Sequence, residues 1–160
     1  VAPHPRLLAD RAVNRHVPVD RRDAVLMQVD DLGGELHVSP MPDGRRWRLV
    51  CSFTYRIGSK YSRRFIRVAA GFLTDFASIP KFVFWLLPWW AKFNKSSVLH
   101  DWLYKTKKIM GRPITRRGAD VMWLEAMFVD FRSHRYGRLV ALVEYGAVRM
   151  FGIMAWRAKK

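Results

Sequence analysis

The sequence predicts an α+β domain, a small antiparallel sheet of about three strands followed by about four helices. Three observations predict it. Trp47, Leu49, Cys51, Phe53 and Tyr55 alternate with polar or smaller residues, the period of a strand. With Asp120 as origin, Trp123, Leu124, Met127, Phe128 and Phe131 fall at i+3, i+4, i+7, i+8 and i+11, the period of a helix. Turn-forming residues punctuate the chain where one pattern gives way to the next.

Residues 1–34 are polar, Arg-rich and poor in aromatics, and end at Gly33-Gly34. They read as an N-terminal arm that docks on a partner, since such a segment lacks the apolar content for a core of its own. Residues 35–160 then form one globular domain. The segment ELHVSP, the turn Met41-Pro42-Asp43-Gly44 and the run RRWRLVCSFTYRI read as a hairpin. Gly58-Ser59-Lys60 turns the chain into YSRRFIRVAAGF, a third strand, and Gly71 suits a tight turn at its end.

The second half is helical. Ser78 caps a short helix with Pro80 in its first turn, and Pro88 stops it. Asn94 caps a helix over 95–107, Gly111-Arg112-Pro113 breaks the chain, and Thr115 caps the helix that carries Asp120. The last helix runs from about Arg135 to Trp156. Its segment LVALVEYGAVRMFGIMAW is mostly apolar, but Glu144 and Arg149 interrupt it, so it reads as a core helix rather than a membrane span, with an interfacial basic helix as the alternative.

The formal net charge is +16, which calls for an acidic partner: nucleic acid, an anionic membrane or an acidic protein surface. The basic residues are dispersed along the chain, among them Arg45, Arg63, Arg116, Arg135 and Arg138, and no nucleic-acid reader motif accompanies them. A single cysteine, Cys51, excludes an internal disulfide and a cysteine-built metal site and fits a reducing cytosol. The opening VAPHPRLLAD lacks the long apolar run of a signal peptide.

The most informative feature is a carboxylate inside an apolar stripe. Asp120 sits among residues that must be buried, and a buried carboxylate without a partner costs several kcal/mol. The best partner lies upstream in SSVLHDWLYKT. There Val98, Leu99, Trp102 and Leu103 form the apolar stripe, His100 and Tyr104 flank it together, and Asp101 projects toward a cleft or solvent. A buried Asp that orients a His serves catalysis in some proteins and satisfies a core polar group in others. Asp75, in AAGFLTDFASIP, could bind a cation, hold His100 or cap the following helix. Ser78 shows no arrangement expected of a serine nucleophile. The row Phe82, Phe84, Trp85, Leu86, Leu87, Trp89, Trp90 is core or an interaction patch for lipid or protein.

Two resemblances follow from these motifs. GFLTDFASIP, LLPWWAKFNKSSVLHDWLY, RRGADVMWLEAM and YGAVRMFG, over about residues 36–155, resemble a domain-of-unknown-function family encoded by tailed bacteriophages and prophages. That resemblance implies a phage origin and no established activity. His100-Asp101-x-x-Tyr104 followed by Ala119-Asp120 is similar to the secreted-type phospholipase A family, especially the capsid-borne lipase domain of parvoviruses. It implies His100 as general base, Asp120 as the orienting carboxylate, Tyr104 as support and Asp101 as a calcium ligand. This chain lacks that family's Gly-rich calcium loop and its disulfides, leaving Asp75 as a substitute oxygen ligand.

The functional expectation is a phage virion structural or assembly protein of the tail or connector region, made in the host cytoplasm. It docks through its arm on other virion proteins with acidic surfaces, within an oligomeric assembly and without a cofactor. The alternative is a His/Asp-dependent, phospholipase-like hydrolase acting on the cell envelope, with calcium. A second alternative is a basic nucleic-acid-binding packaging protein. A hydrolase needs His100 at the wall of an open cleft; a structural module closes the His100–Asp120 pair off.

Overall fold

A computed structural model describes residues 35–76, 88 and 94–158. The predicted arm, the aromatic row and the Ser78-capped helix lie outside the described residues. Within them the chain forms small antiparallel sheets followed by four helices, as the sequence predicts.

The first hairpin pairs β1 (Val38–Pro40) with β2 (Trp47–Leu49) across the predicted turn, where Asp43 accepts hydrogen bonds from the backbone of Arg45 and Arg46. The run RRWRLVCSFTYRI is not one strand. After Leu49 the chain leaves the first sheet, and β3 (Phe53–Arg56) pairs instead with β4 (Phe65–Val68) in a sheet of two. Gly71, at φ +84°, turns the chain back so that β5 (Leu73–Thr74) completes the first sheet in the order β1-β2-β5. Side-chain alternation runs unbroken through residues 50–52, so periodicity alone gives no sign of the switch.

α1 (Lys95–Thr106) starts at the predicted cap: Asn94 Oδ1 accepts from Ser97 N at 2.8 Å. It ends with Lys107 in the left-handed region. A two-residue hairpin of β6 (Lys108–Ile109) and β7 (Arg112–Pro113) follows, its turn made by Met110 and Gly111, both at positive φ. α2 (Arg116–Asp130) is capped by Thr115, as predicted. α3 (Gly137–Phe151) and α4 (Ile153–Ala158) are the predicted last helix, divided at Gly152.

α2 packs between α1 and α3, while the other side of α1 meets β4 and β5, and α4 returns to α1. α1 is therefore the central element, and Ser97, Val98, Leu99, His100, Asp101, Leu103 and Tyr104 are all buried. Two polar contacts between elements fix this stack. Asp130, at the end of α2, accepts from Ser96 N at the start of α1 at 2.8 Å. Glu125 on α2 accepts from the Tyr55 hydroxyl and from Gly58 N, fastening the β3–β4 hairpin.

α3 departs from the expected core helix. Its buried face consists of Gly137, Ala141, Glu144, Ala147 and Val148. The larger apolar side chains, Leu139, Leu142, Val143 and Met150, point to solvent, and Ile153 and Met154 continue that face on α4. Small residues permit close approach to α2. A Cβ on Gly137 would collide with the Phe131 carbonyl oxygen, so a larger residue cannot stand there.

Candidate functional site

Asp120 is the centre of a buried network that joins three helices. Its stripe faces α1, and His100 and Tyr104, one helical turn apart, meet it there. His100 Nε2 lies 3.2 Å from Asp120 Oδ1, and the Tyr104 hydroxyl donates to the same oxygen at 2.6 Å. From α3, Arg149 donates to Asp120 Oδ2 at 2.7 Å, with Arg116 at 4.0 Å from that oxygen. Arg116 also donates to the carbonyls of Val148 and Arg149, satisfying the last turn of α3. The His100 ring stacks on Trp123 at 4.3 Å and tilts against Tyr104 at 4.1 Å. Tyr104 in turn meets Trp156 edge-on.

The electrostatics follow from these contacts. Burial alone would raise the Asp120 pKa, but hydrogen bonds from His100, Tyr104 and Arg149 overcome it and hold the carboxyl below its ordinary value. Burial and the neighbouring Asp120 carboxylate push the Tyr104 phenol up, so it stays protonated and donates. With Asp120 ionised, a neutral His100 carries its proton on Nε2, facing the carboxylate, and Nδ1 is its basic nitrogen.

The structure thus brings together His100, Asp120 and Tyr104. It does not join Asp101 or Asp75 to them. Asp101 is not turned to a cleft or solvent. It is 2 % exposed and accepts a 2.6 Å hydrogen bond from Thr74, because the sheet covers the face of α1 opposite α2. Asp75 is exposed in a cleft with Asp43, Arg45 and Arg46, where two guanidinium groups oppose a cation. Among the described residues no cluster of three or more His, Cys, Asp or Glu could hold a metal. Calcium takes six to eight oxygen ligands, and Asp101 and Asp75 do not supply such a cage. His100, Tyr104 and Asp120 are themselves 0 % exposed.

Sequence reasoning missed two members of this region. Arg149 was readable only as an interruption of an apolar helix and Arg116 only as part of the charge excess; both compensate Asp120. Glu144 is the third unexpected residue. It is 0 % exposed between α3 and α2, neither carboxyl oxygen has a hydrogen-bond partner among the described residues, and burial pushes its pKa up to about 8. Trp123 Nε1 is likewise buried without a partner among the described residues.

Residues 47–148 match the profile of a family described as a protein of unknown function, DUF1353, and the chain belongs to that family. No curated protein and no solved structure matches it.

Proposed function

We propose that this chain is a phage assembly protein whose His100–Asp120 pair locks three helices together and whose outward α3–α4 face docks on another virion protein. The observation that carries the reading is that face. Leu139, Val143, Gly146, Met150 and Ile153 recur at spacings of four and three, a seam of the kind that receives a second helix. Leu142 and Met154 widen it, and it runs roughly 22 Å at 1.5 Å per residue with no polar side chain between Leu139 and Met154 on that side. Exposed Arg157 follows it on α4 and the chain carries +16, so the fitting partner is an amphipathic helix with acidic borders. A second copy of this chain would set arginine against arginine. Residues 1–34 are a further docking arm in this reading. The closed network supports it too, since His100 has no exposed surface from which to reach a substrate.

The test is a phage carrying the double variant Val143→Glu, Met150→Glu, both at exposed positions. Purified wild-type particles contain the chain in fixed stoichiometry, and variant particles lose it although the variant protein folds. Absence of the chain from wild-type particles would sink the proposal.

One specific observation favours the hydrolase as a second reading. The partners of Asp120 on α1 are the His and Tyr that the phospholipase resemblance assigns to it, and His100 Nε2 faces the carboxylate. In that reading Nδ1 of His100 takes the proton of an attacking water. Ester and phospholipid hydrolysis are measured with and without calcium, for wild type and His100→Ala. Turnover lost only in a folded His100→Ala variant replaces the first reading with the second.

A further inference from the structure

Three arginines within seven positions of sequence, Arg132, Arg135 and Arg138, stand together at the turn between α2 and α3. A cleft of about 410 Å³ is lined there by Phe128, Arg132, Ser133, His134, Arg135 and Arg138, with Phe131 at its floor. A second cleft of about 380 Å³ shares Phe128 and Arg132 with the first and continues past Arg56 and Lys60 of the β3–β4 hairpin. The two make one track.

The charge of the first cleft is uncompensated. Among the described residues Arg132, Arg135 and Arg138 meet no carboxylate, unlike Arg46 on Asp43 or Arg149 on Asp120. The second cleft is also lined by one carboxylate, Glu125, whose hydrogen-bond donors, Tyr55 and Gly58 N, are neutral, so the positive charge is concentrated in the first cleft. α3 begins at the same place with no acidic residue in its first turn and no side-chain cap, so the positive end of its dipole adds to the arginines. Next in sequence to one cation of each cleft, Arg135 and Lys60, comes an aromatic ring with that cation against it. Arg135 lies over Tyr136 at 5.5 Å, and Lys60 over Tyr61 at 5.0 Å. Tyr136 is 61 % exposed and Tyr61 82 %, an unusual display for rings whose ring contact among the described residues is a neighbouring cation.

We infer that this track binds single-stranded nucleic acid, with phosphates on Arg132, Arg135 and Arg138 and bases stacked on Tyr136 and Tyr61. A positive groove with spaced, exposed aromatic rings is the physical requirement for single strands. A lipid headgroup would use the cations but not the rings. A duplex keeps its bases stacked inside and cannot use the rings either.

The experiment uses the full chain and a fluorescein-labelled oligothymidylate, read by anisotropy over a range of salt. The triple variant Arg132→Ala, Arg135→Ala, Arg138→Ala is compared with Arg45→Ala, Arg112→Ala, Arg117→Ala, which removes the same charge from exposed positions elsewhere. The cleft variant should bind at least tenfold more weakly, and its log–log salt slope should fall by about 0.7 for each phosphate that is no longer neutralised. The control variant should stay within a few-fold of wild type. Tyr136→Ala should weaken binding while leaving the salt slope unchanged, which a purely electrostatic patch would not do. All altered side chains are exposed, and melting curves confirm that each variant is folded. Equal losses in both triple variants would show diffuse charge and overturn the assignment. So would tighter binding of a duplex of the same length, or binding only to phosphatidylglycerol vesicles.

Discussion

Asp120 and Glu144 are both carboxylic acids with no exposed surface, on helices that pack against each other, and they meet opposite fates. Asp120 receives His100, Tyr104 and Arg149, and stays ionised below its ordinary pKa. Glu144 receives no hydrogen bond from the described residues, and its pKa rises to about 8, so it is largely protonated at neutral pH. Burial is common to the two and therefore does not decide their charge. The number of donors aimed at the carboxyl decides it. The first arrangement ties α1, α2 and α3 into one geometry; the second is a cost carried by the α2–α3 interface.

The largest break in this contrast is Asp120→Ala. It leaves the Tyr104 hydroxyl buried with its acceptor gone and leaves Arg149 without its counter-charge, and we expect a loss of about 3–5 kcal/mol in chemical denaturation. A loss under about 1 kcal/mol, near the worth of an exposed pair, would mean that the network is not what holds the helices.

Glu144 sharpens the contrast through pH. Its folded pKa, about 8, lies above the ordinary 4.5 of the unfolded chain. The folded state therefore binds more protons in that window, and stability falls as pH rises from about 4.5 to 8. The stabilising effect of the buried, protonated form is complete below 4.5 and gone above 8. Glu144→Met should remove this dependence and stabilise the protein at about pH 9 by about 3 kcal/mol, following roughly 1.4 kcal/mol per pKa unit with allowance for relaxation. Denaturation of wild type and variant at about pH 5 and about pH 9 checks it; parallel changes in the two proteins would refute the assignment.

Gly152 tests the packing around Tyr104 rather than its charge. A Cβ there would sit 2.6 Å from the Val148 carbonyl oxygen and 3.0 Å from the Tyr104 hydroxyl. Gly152→Ala should cost about 2 kcal/mol, as overpacking does, and should disturb the Tyr104–Asp120 hydrogen bond. Tyrosine absorbance and melting temperature together report it.

The smallest effect belongs to Arg149→Met. Its side chain is 32 % exposed, so solvent screens the ion pair, and we expect about 1 kcal/mol at neutral pH. Asp120 titrates below its ordinary value when folded, so its contribution is present above about pH 4 and is lost as pH falls further. The difference between Arg149→Met and wild type should therefore vanish in acid, the reverse of the trend at Glu144.

The local elements and one half of the Asp120 site were legible in the order of the residues. Strand alternation, the turn at Asp43 and Gly44, the caps at Asn94 and Thr115, and the pairing of Asp120 with His100 follow from periodicities and short-range chemistry, while Tyr104 as a support of that pair came from the phospholipase resemblance. A helical stripe fixes which residues share a face, and a carboxylate within that stripe requires a donor from the next helix. What periodicity cannot encode was settled by packing between elements. The run through Val50 to Ser52 keeps its alternation while the chain changes sheets, because pairing partners rather than side-chain period define a sheet. Arg149 reaches Asp120 from 29 residues away, which depends on the register of α2 against α3. Apolar residues lie on both faces of α3, and hydrophobicity could not say which face is inside. Close packing chose the small side chains of Gly137, Ala141 and Ala147 for the interface, and so turned Leu139, Val143 and Met150 outward.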